Sequence, residues 1–142
     1  MDAFDADALI YAAVPSHPLG RRVAALIPTE PFRAGDAPMG VGSLLLLPEL
    51  LSKPLRDGQT DEVRSLSALL NALDLRPLDR ATAELAVILC SDYRLRAGDA
   101  THLATAIIVG ADRFITNNRR DFSDTIEEIQ IVYPDDLPDS MT

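Results

Sequence analysis

The chain has 142 residues, a length that suits one compact domain able to bury a sizeable core. Hydrophobic residues make up 47% and charged residues 25%, which is ordinary for a globular protein and excludes a disordered chain. The formal net charge of −9 argues against a broad basic surface for nucleic acid, whereas acids gathered around metal ions shift the charge in this direction.

The first half of the chain predicts short strands alternating with helices, because apolar residues recur at helical spacing between turn-forming residues. The repeat is clear at Val63, Leu66 and Leu70, where it marks the buried face of a helix. In chain order we predict a strand at residues 3–5, helices at 7–13 and 18–27, a loop at 29–39, a strand at 39–41, a Leu-rich helix capped by Ser43 and a helix capped by Thr60.

The second half continues the alternation. In chain order we predict a strand at residues 75–78, a helix at 80–93 capped by Asp79, a helix at 99–109 followed by Gly110 as its C-terminal cap, a strand at 113–116, a turn or short helix at 117–122 and a strand at 129–133. The acidic tail from Pro134 contains further prolines, and we expect it to be frayed.

This order of elements predicts an α/β fold, a three-layer α/β/α sandwich around a central, mostly parallel sheet of about five strands. We assign residues 1–134 to a single domain and residues 135–142 to an acidic tail. In such sheets, functional groups gather beyond the carboxyl ends of the strands. Asp5, Asn117 and Asn118 follow strands there, and Asp99 opens a helix.

The cellular setting is predicted from what the sequence lacks. The single cysteine, Cys90, excludes an intramolecular disulfide, fits a reducing compartment and reads as a small buried hydrophobe. The N-terminus has no signal-peptide pattern, and no apolar run approaches the roughly 20 residues of a membrane span. We therefore expect a cytoplasmic protein that does not enter a membrane.

Three acids and one histidine are candidates for chemistry, each with a structural alternative. Asp5 directly follows a strand, where it is either a functional acid or a helix N-cap, a role for which Asp7 competes. Asp99 can likewise be an N-cap favoured by the helix dipole. Glu49, taken alone, is a solvent-facing acid beside a leucine stripe, and His102 is either a hydrogen-bond partner of the acids or a surface histidine.

The segment after the predicted strand at residues 113–116 is dense in polar groups. Thr116 is suited to contact a phosphate or a metal-bound water, Asn118 offers a neutral oxygen or an amide, and Asp121 offers a further carboxylate. The alternative is that a loop at a sheet end is polar in any case.

Four blocks of the chain resemble, in the same order, the conserved blocks of the PIN-domain family. They are residues 4–11 with Asp5, residues 43–51 with Glu49, residues 98–106 with Asp99, and residues 114–122. The set is most similar to the VapC-type toxins of bacterial and archaeal toxin–antitoxin pairs. The sequence departs from many relatives by carrying Asn118 where they have an acid, with Asp121 three positions on.

This resemblance implies an endoribonuclease that uses Mg²⁺ or Mn²⁺ to hydrolyse single-stranded RNA, with a VapB-like antitoxin as partner and a homodimer as assembly. Oxygen ligands suit these ions, and no Cys/His set is present for zinc. The implied metal ligands are Asp5 and Asp99. The implied catalytic residues are Glu49 and Asp121, which position a water or a second ion, together with Thr116 and Asn118. Phosphate contacts are implied for Arg94, Arg96, Arg119 and Arg120, and each of these has a solvated surface arginine as its alternative.

Two other interpretations stay open. Asp5 and Asp7 after a strand, with Thr116 and the acids Asp135 and Asp136 later, also resemble a haloacid-dehalogenase phosphatase. Against this, no glycine follows Asp7, the only lysine precedes the threonine motif, and the chain is short for that fold. The second interpretation is a catalytically inactive PIN-fold binding module, which the asparagine at position 118 leaves open.

Overall fold

Five strands form the centre of the molecule, and all of them run in parallel. The computed structural model describes residues 1–14 and 16–139. Its strands are β1 (Asp2–Phe4), β2 (Gly40–Ser43), β3 (Asp74–Arg76), β4 (Arg113–Ile115) and β5 (Gln130–Val132). They lie side by side in the order β3-β2-β1-β4-β5, so the first strand of the chain is central. The predicted α/β fold with about five mostly parallel strands is confirmed.

Helices connect the first four strands in sequence, as crossovers between parallel strands commonly do, whereas residues 116–129 link β4 to β5 through turns. The helices are α1 (Ala6–Ala12), α2 (Pro18–Ala24), α3 (Leu46–Arg56), α4 (Thr60–Asn71), α5 (Arg80–Tyr93) and α6 (Ala97–Ile108), followed by a short 3₁₀ helix at Pro134–Asp136. Among the residues described, no helix is both long enough and apolar enough to cross a membrane.

The two faces of the sheet bury separate cores, which gives the three layers. Neighbouring strand residues point to opposite faces, so Phe4 and Ile115 join one core while Ala3 and Phe114 join the other. The first core is filled by α1 to α4, and the second by α5 and α6. Cys90, expected to be buried, is half-buried against the second core.

Three predicted helix caps are wrong by one to three residues. The Ser43 hydroxyl accepts a hydrogen bond from Leu45 N at 3.1 Å, but α3 begins only at Leu46, because Ser43 still belongs to β2. The N-cap of α4 is Gln59 instead of Thr60, and that of α6 is Arg96. Asp99 therefore lies in the first turn of α6. The Gly110 cap is confirmed by its φ of +74° directly after the last residues of α6.

The predicted fraying of the tail is wrong as far as Asp139. Leu137 is buried in the first core, and the Arg22 guanidinium of α2 donates hydrogen bonds to the carbonyl oxygens of Asp135 and Leu137 at 3.0 and 3.3 Å. Arg21 of α2 also pairs with Asp139, and Arg119 pairs with Asp135, so basic side chains and the buried Leu137 hold this acidic segment together. The predicted tail also includes residues 140–142, which lie outside the described residues.

Candidate active site at the carboxyl edge of the sheet

The first candidate acid, Asp5, is buried at the carboxyl end of β1 beside the end of β4. Its Oδ1 accepts a hydrogen bond from Ala6 N at 2.9 Å, which makes it the N-cap of α1. Its Oδ2 accepts a hydrogen bond at 2.8 Å from the hydroxyl of Thr116, a fully buried side chain. Asp5 therefore caps a helix with one oxygen and contacts a neighbouring strand end with the other.

Burial makes the ionised form of the Asp5 carboxylate unfavourable. Desolvation, followed by the nearby charge of Asp7, raises the pKa of Asp5 to about 6. Burial also raises the pKa of Asp7, whose Oδ1 accepts a hydrogen bond from Asn117 N at 3.0 Å. Within residues 1–14 and 16–139, neither carboxylate has an ion-pair partner. The carboxylates of Asp5 and Asp7 thus lie close together at a poorly solvated place at the end of β1.

The loop after β4 is folded around Asn118. Its backbone N donates to Thr116 Oγ1 at 3.1 Å, its side-chain Nδ2 donates to Asp121 Oδ2 at 2.9 Å, and its Oδ1 accepts from Asp121 N at 3.1 Å. Both ends of the Asn118 amide are therefore used to hold Asp121. This geometry favours Asp121 over Asn118 as the further oxygen ligand that the sequence left undecided.

Asp99 shares the same region with acids from two other segments. Desolvation raises its pKa first, and the charges of Asp121 and Glu49 raise it further. His102 and, by a smaller amount, Arg96 oppose this effect and lower the pKa of Asp99. The approach of α3 to α6 is close, because a Cβ placed on Gly98 would lie 3.4 Å from Glu49 Oε1.

Glu49 is held in place by His102, for which the sequence left two interpretations open. His102 Nε2 lies 2.9 Å from Glu49 Oε2 and links α6 to α3, although the two residues are 53 positions apart. The His102 side chain is 1% exposed, so the surface-histidine interpretation is wrong. Glu49 itself remains 35% exposed. The one-turn spacing from Asp99 was the only sequence signal that pointed to His102.

The structure thus brings six of the predicted site residues, the acids and the polar residues of the loop after β4, to one edge of the sheet through a chain of contacts and electrostatic interactions. These residues are Asp5, Glu49, Asp99, Thr116, Asn118 and Asp121. In the described part of the chain, however, no three His, Cys, Asp or Glu side chains already form a set that could hold a metal ion. Two further polar residues that the predicted site did not include, Asp7 and Asn117, also contact this edge.

The predicted phosphate-binding arginines differ in their surroundings. The guanidinium carbon of Arg119 lies 4.0 Å from the centroid of the Tyr133 ring, and the same group pairs with Asp135. Arg120 is exposed, and its guanidinium has no ion pair with the residues that the structure describes. Arg96 is also exposed at the start of α6, whereas Arg94 ends α5 in the left-handed conformation.

The sequence matches the PIN domain over residues 3–128, which is most of the chain and includes every candidate acid named above. The chain belongs to the PIN-domain family. PIN domains are generally hydrolytic nucleases. The match sets aside the haloacid-dehalogenase alternative.

Solved structures with this PIN fold include a toxin–antitoxin complex from Klebsiella pneumoniae, with a TM-score of 0.67 and 25% identity over 94% of this chain and 98% of that chain. A DNA-bound VapBC from Salmonella typhimurium has a TM-score of 0.70 and 16% identity over 94% and 97% of the two chains. VapBC2 from Rickettsia felis, bound to a DNA fragment from its promoter, has a TM-score of 0.69 and 15% identity over 93% and 97%. A search of curated proteins finds no match.

Proposed function

We propose that this PIN domain is a Mg²⁺- or Mn²⁺-dependent endoribonuclease that hydrolyses phosphodiester bonds of single-stranded RNA. The observation that carries the proposal is the gathering of Asp99, Asp121 and Glu49 at one edge of the sheet, where Glu49 Oε1 lies close to Gly98 and the charges of the other two acids add to desolvation in raising the pKa of Asp99. Acids on three separate segments therefore repel one another at the carboxyl edge of the sheet. A divalent cation relieves such repulsion, and an all-carboxylate donor set fits the oxygen preference of Mg²⁺ and Mn²⁺.

In this proposal Asp5 and Asp99 hold the ion, and Glu49 and Asp121 orient the attacking water or a second ion. When bound, such an ion neutralises phosphate charge and lowers the pKa of a water molecule. Glu49 is suited to its role because Oε2 is engaged by His102, whereas Oε1 accepts no hydrogen bond from the described residues. Thr116 and Asn118 hold Asp5 and Asp121, respectively. The described residues form no complete ligand set beforehand, so the proposal requires the carboxylates to move closer together when the ion binds.

RNA would be bound locally, because a chain of net charge −9 has no excess of basic residues. Arg120 and Arg96 are exposed beside the acids and are our candidates for phosphate contacts. Arg119 would have to leave Asp135 to take part.

We further propose that the protein is the toxin of a VapBC-type pair, bound by a VapB-like antitoxin and active as a cytoplasmic homodimer. The similarity to three toxin–antitoxin structures supports the antitoxin partner.

The homodimer is supported by exposed apolar side chains on α5 and just before it, namely Leu78, Val87 and Ile88. Light scattering of the wild type and of Val87→Glu tests the homodimer, and an unchanged monomeric mass in both would contradict it.

The catalytic proposal is tested by cleavage of a single-stranded RNA with Mg²⁺, with Mn²⁺ and with EDTA. We expect cleavage only with metal, and loss of cleavage in Asp99→Asn but not in Asp92→Asn, an exposed acid on α5 that serves as the matched control. Metal-independent cleavage that survives Asp99→Asn would reject the proposal. A folded wild type without any cleavage would favour the inactive binding module instead.

A further inference from the structure

A buried histidine joins the two helices that carry Glu49 and Asp99. His102 lies in a stretch of α6 that is buried on all sides, between the sheet and α5. The only hydrogen-bond partner of its ring is Glu49 Oε2, at 2.9 Å, and its Nδ1 is buried without a partner in the part of the chain that the structure describes. A leucine would fill such a core position at lower cost, since burying a polar group is unfavourable unless it is hydrogen-bonded.

The geometry also determines which nitrogen carries the hydrogen. A carboxylate only accepts hydrogen bonds, so Nε2 is the donor in its bond to the Glu49 carboxylate. Among the described residues Nδ1 has no hydrogen-bond partner. When the ring is neutral, its single hydrogen therefore lies on Nε2, where Glu49 accepts it.

We propose that His102 is a positioning residue that fixes the Glu49 carboxylate for cleavage, an inference that rests on the proposed ribonuclease function. Glu49 is 35% exposed and, without this bond, would be free to swing into solvent. The bond holds Oε2 and leaves Oε1 directed to the site, where it lies close to the start of α6 at Gly98. His102 acts through Glu49 and touches neither the substrate nor the reacting atoms.

A pair of substitutions separates positioning from packing. In His102→Gln the amide nitrogen stands at the position of Nε2, whereas in His102→Asn it stands nearer to that of Nδ1. We expect His102→Asn to lower kcat about 10- to 100-fold with little change in KM, and His102→Gln to restore kcat to within about threefold of the wild type. Equal losses in both variants, with unchanged unfolding midpoints, would overturn the inference.

A double-mutant cycle asks whether His102 acts through Glu49. In a Glu49→Ala background, we expect His102→Asn to change kcat by less than about twofold, because the group that it positions is gone. Additive losses would assign His102 a role independent of Glu49 and would overturn the inference. Absence of cleavage by the wild type would instead reject the proposed function, so the two failures are distinguishable.

A spectroscopic measurement does not depend on cleavage. The ¹⁵N chemical shifts of the His102 ring in the full-length protein at neutral pH report which nitrogen is protonated. We expect a protonated Nε2, and a change of the Nε2 signal in Glu49→Ala. A hydrogen on Nδ1 with a bare Nε2 would contradict the assigned bond.

Discussion

Both ends of the central strand pair β1–β4 carry acids. The acids at the amino end form ion pairs, whereas the acids at the carboxyl end do not. At the amino end, Asp2 accepts hydrogen bonds from Nε and Nη2 of Arg113 at 2.8 and 3.0 Å. The neighbouring Asp112 pairs with the N-terminal amine at 2.6 Å. At the carboxyl end, Asp5 and Asp7 both have raised pKa values and form no ion pair among the residues described.

This difference separates acids that stabilise the fold from acids that cost stability. The bidentate pair of Asp2 with Arg113 is partly buried and stabilises the folded chain, whereas Asp112 is exposed and its pair contributes less. Unpaired acids in a desolvated corner oppose folding, and such groups gather where a function needs them. The comparison therefore indicates that the acids at the carboxyl end serve the chemistry, whereas the ion pairs at the amino end stabilise the fold.

The largest expected effect tests this contrast directly. Asp5→Asn should lower RNA cleavage more than about a hundredfold, since even the partners of metal ligands contribute 10- to 100-fold. Its matched control, Asp2→Asn, should leave cleavage within a few-fold while losing about 1 kcal/mol of stability with the Arg113 contact. Rates of cleavage and urea unfolding measure both. Equal effects on cleavage would remove the distinction between the two ends.

The pH dependence of stability sharpens the comparison. The pKa of Asp5 rises from 3.8 to about 6 on folding, so its favourable contribution is complete below pH 3.8 and is lost as the pH rises through about 6. The loss amounts to at most about 3 kcal/mol. In EDTA, the wild type should therefore lose stability relative to Asp5→Asn as the pH rises from 4 to 7. Parallel stability curves for the two proteins would contradict this prediction.

The acid at position 121 should show an intermediate effect. Its carboxylate is held by Asn118 and raises the pKa of Asp99, so Asp121→Asn should lower cleavage about 10- to 100-fold. Asp124→Asn, an exposed acid three positions on, is the matched control and should cleave at the wild-type rate. If Asn118→Ala alone abolished cleavage while Asp121→Asn did not, the assignment would have to be reversed.

The smallest effects are expected at the arginines. Arg120→Ala should raise KM only a few-fold and reduce the salt dependence of RNA binding by about one phosphate contact. Arg119→Ala should change KM less, because Asp135 and Tyr133 hold its guanidinium, and should cost at most about 1 kcal/mol of stability. Salt titrations of RNA binding distinguish the two arginines, and a larger salt effect at Arg119 would show that it leaves Asp135 for the RNA.

The sequence alone was enough to predict the sheet, its helices and the edge that carries the acids. The local spacing of apolar residues predicts which segments are strands and which are helices. Parallel strands then place their carboxyl ends at the same edge of the sheet. Helix starts were less predictable. Ser43, Thr60 and Asp99 are good capping residues by type, but the place where the chain leaves the preceding strand or turn decides which residue becomes the cap.

The details of the site depend on contacts that local pattern does not encode. The bond between His102 and Glu49 joins residues 53 positions apart, and α6 is buried on both sides, so its small residues gave no polar face on which to place His102. The ordered tail depends on Leu137 reaching the first core. Likewise, Asn118 and Asp121 could be ranked only after their side chains were seen to bond to each other.

The most direct test is calorimetric titration of the metal-free protein with Mn²⁺ at pH 7, for the wild type, Asp5→Asn, Asp99→Asn and the control Asp2→Asn. We expect the wild type and Asp2→Asn to bind Mn²⁺ with equal affinity and the two site variants to lose at least a factor of ten. Equal Mn²⁺ binding by all four proteins, or no binding by a folded wild type, would contradict the claim that these separate acids share a divalent cation.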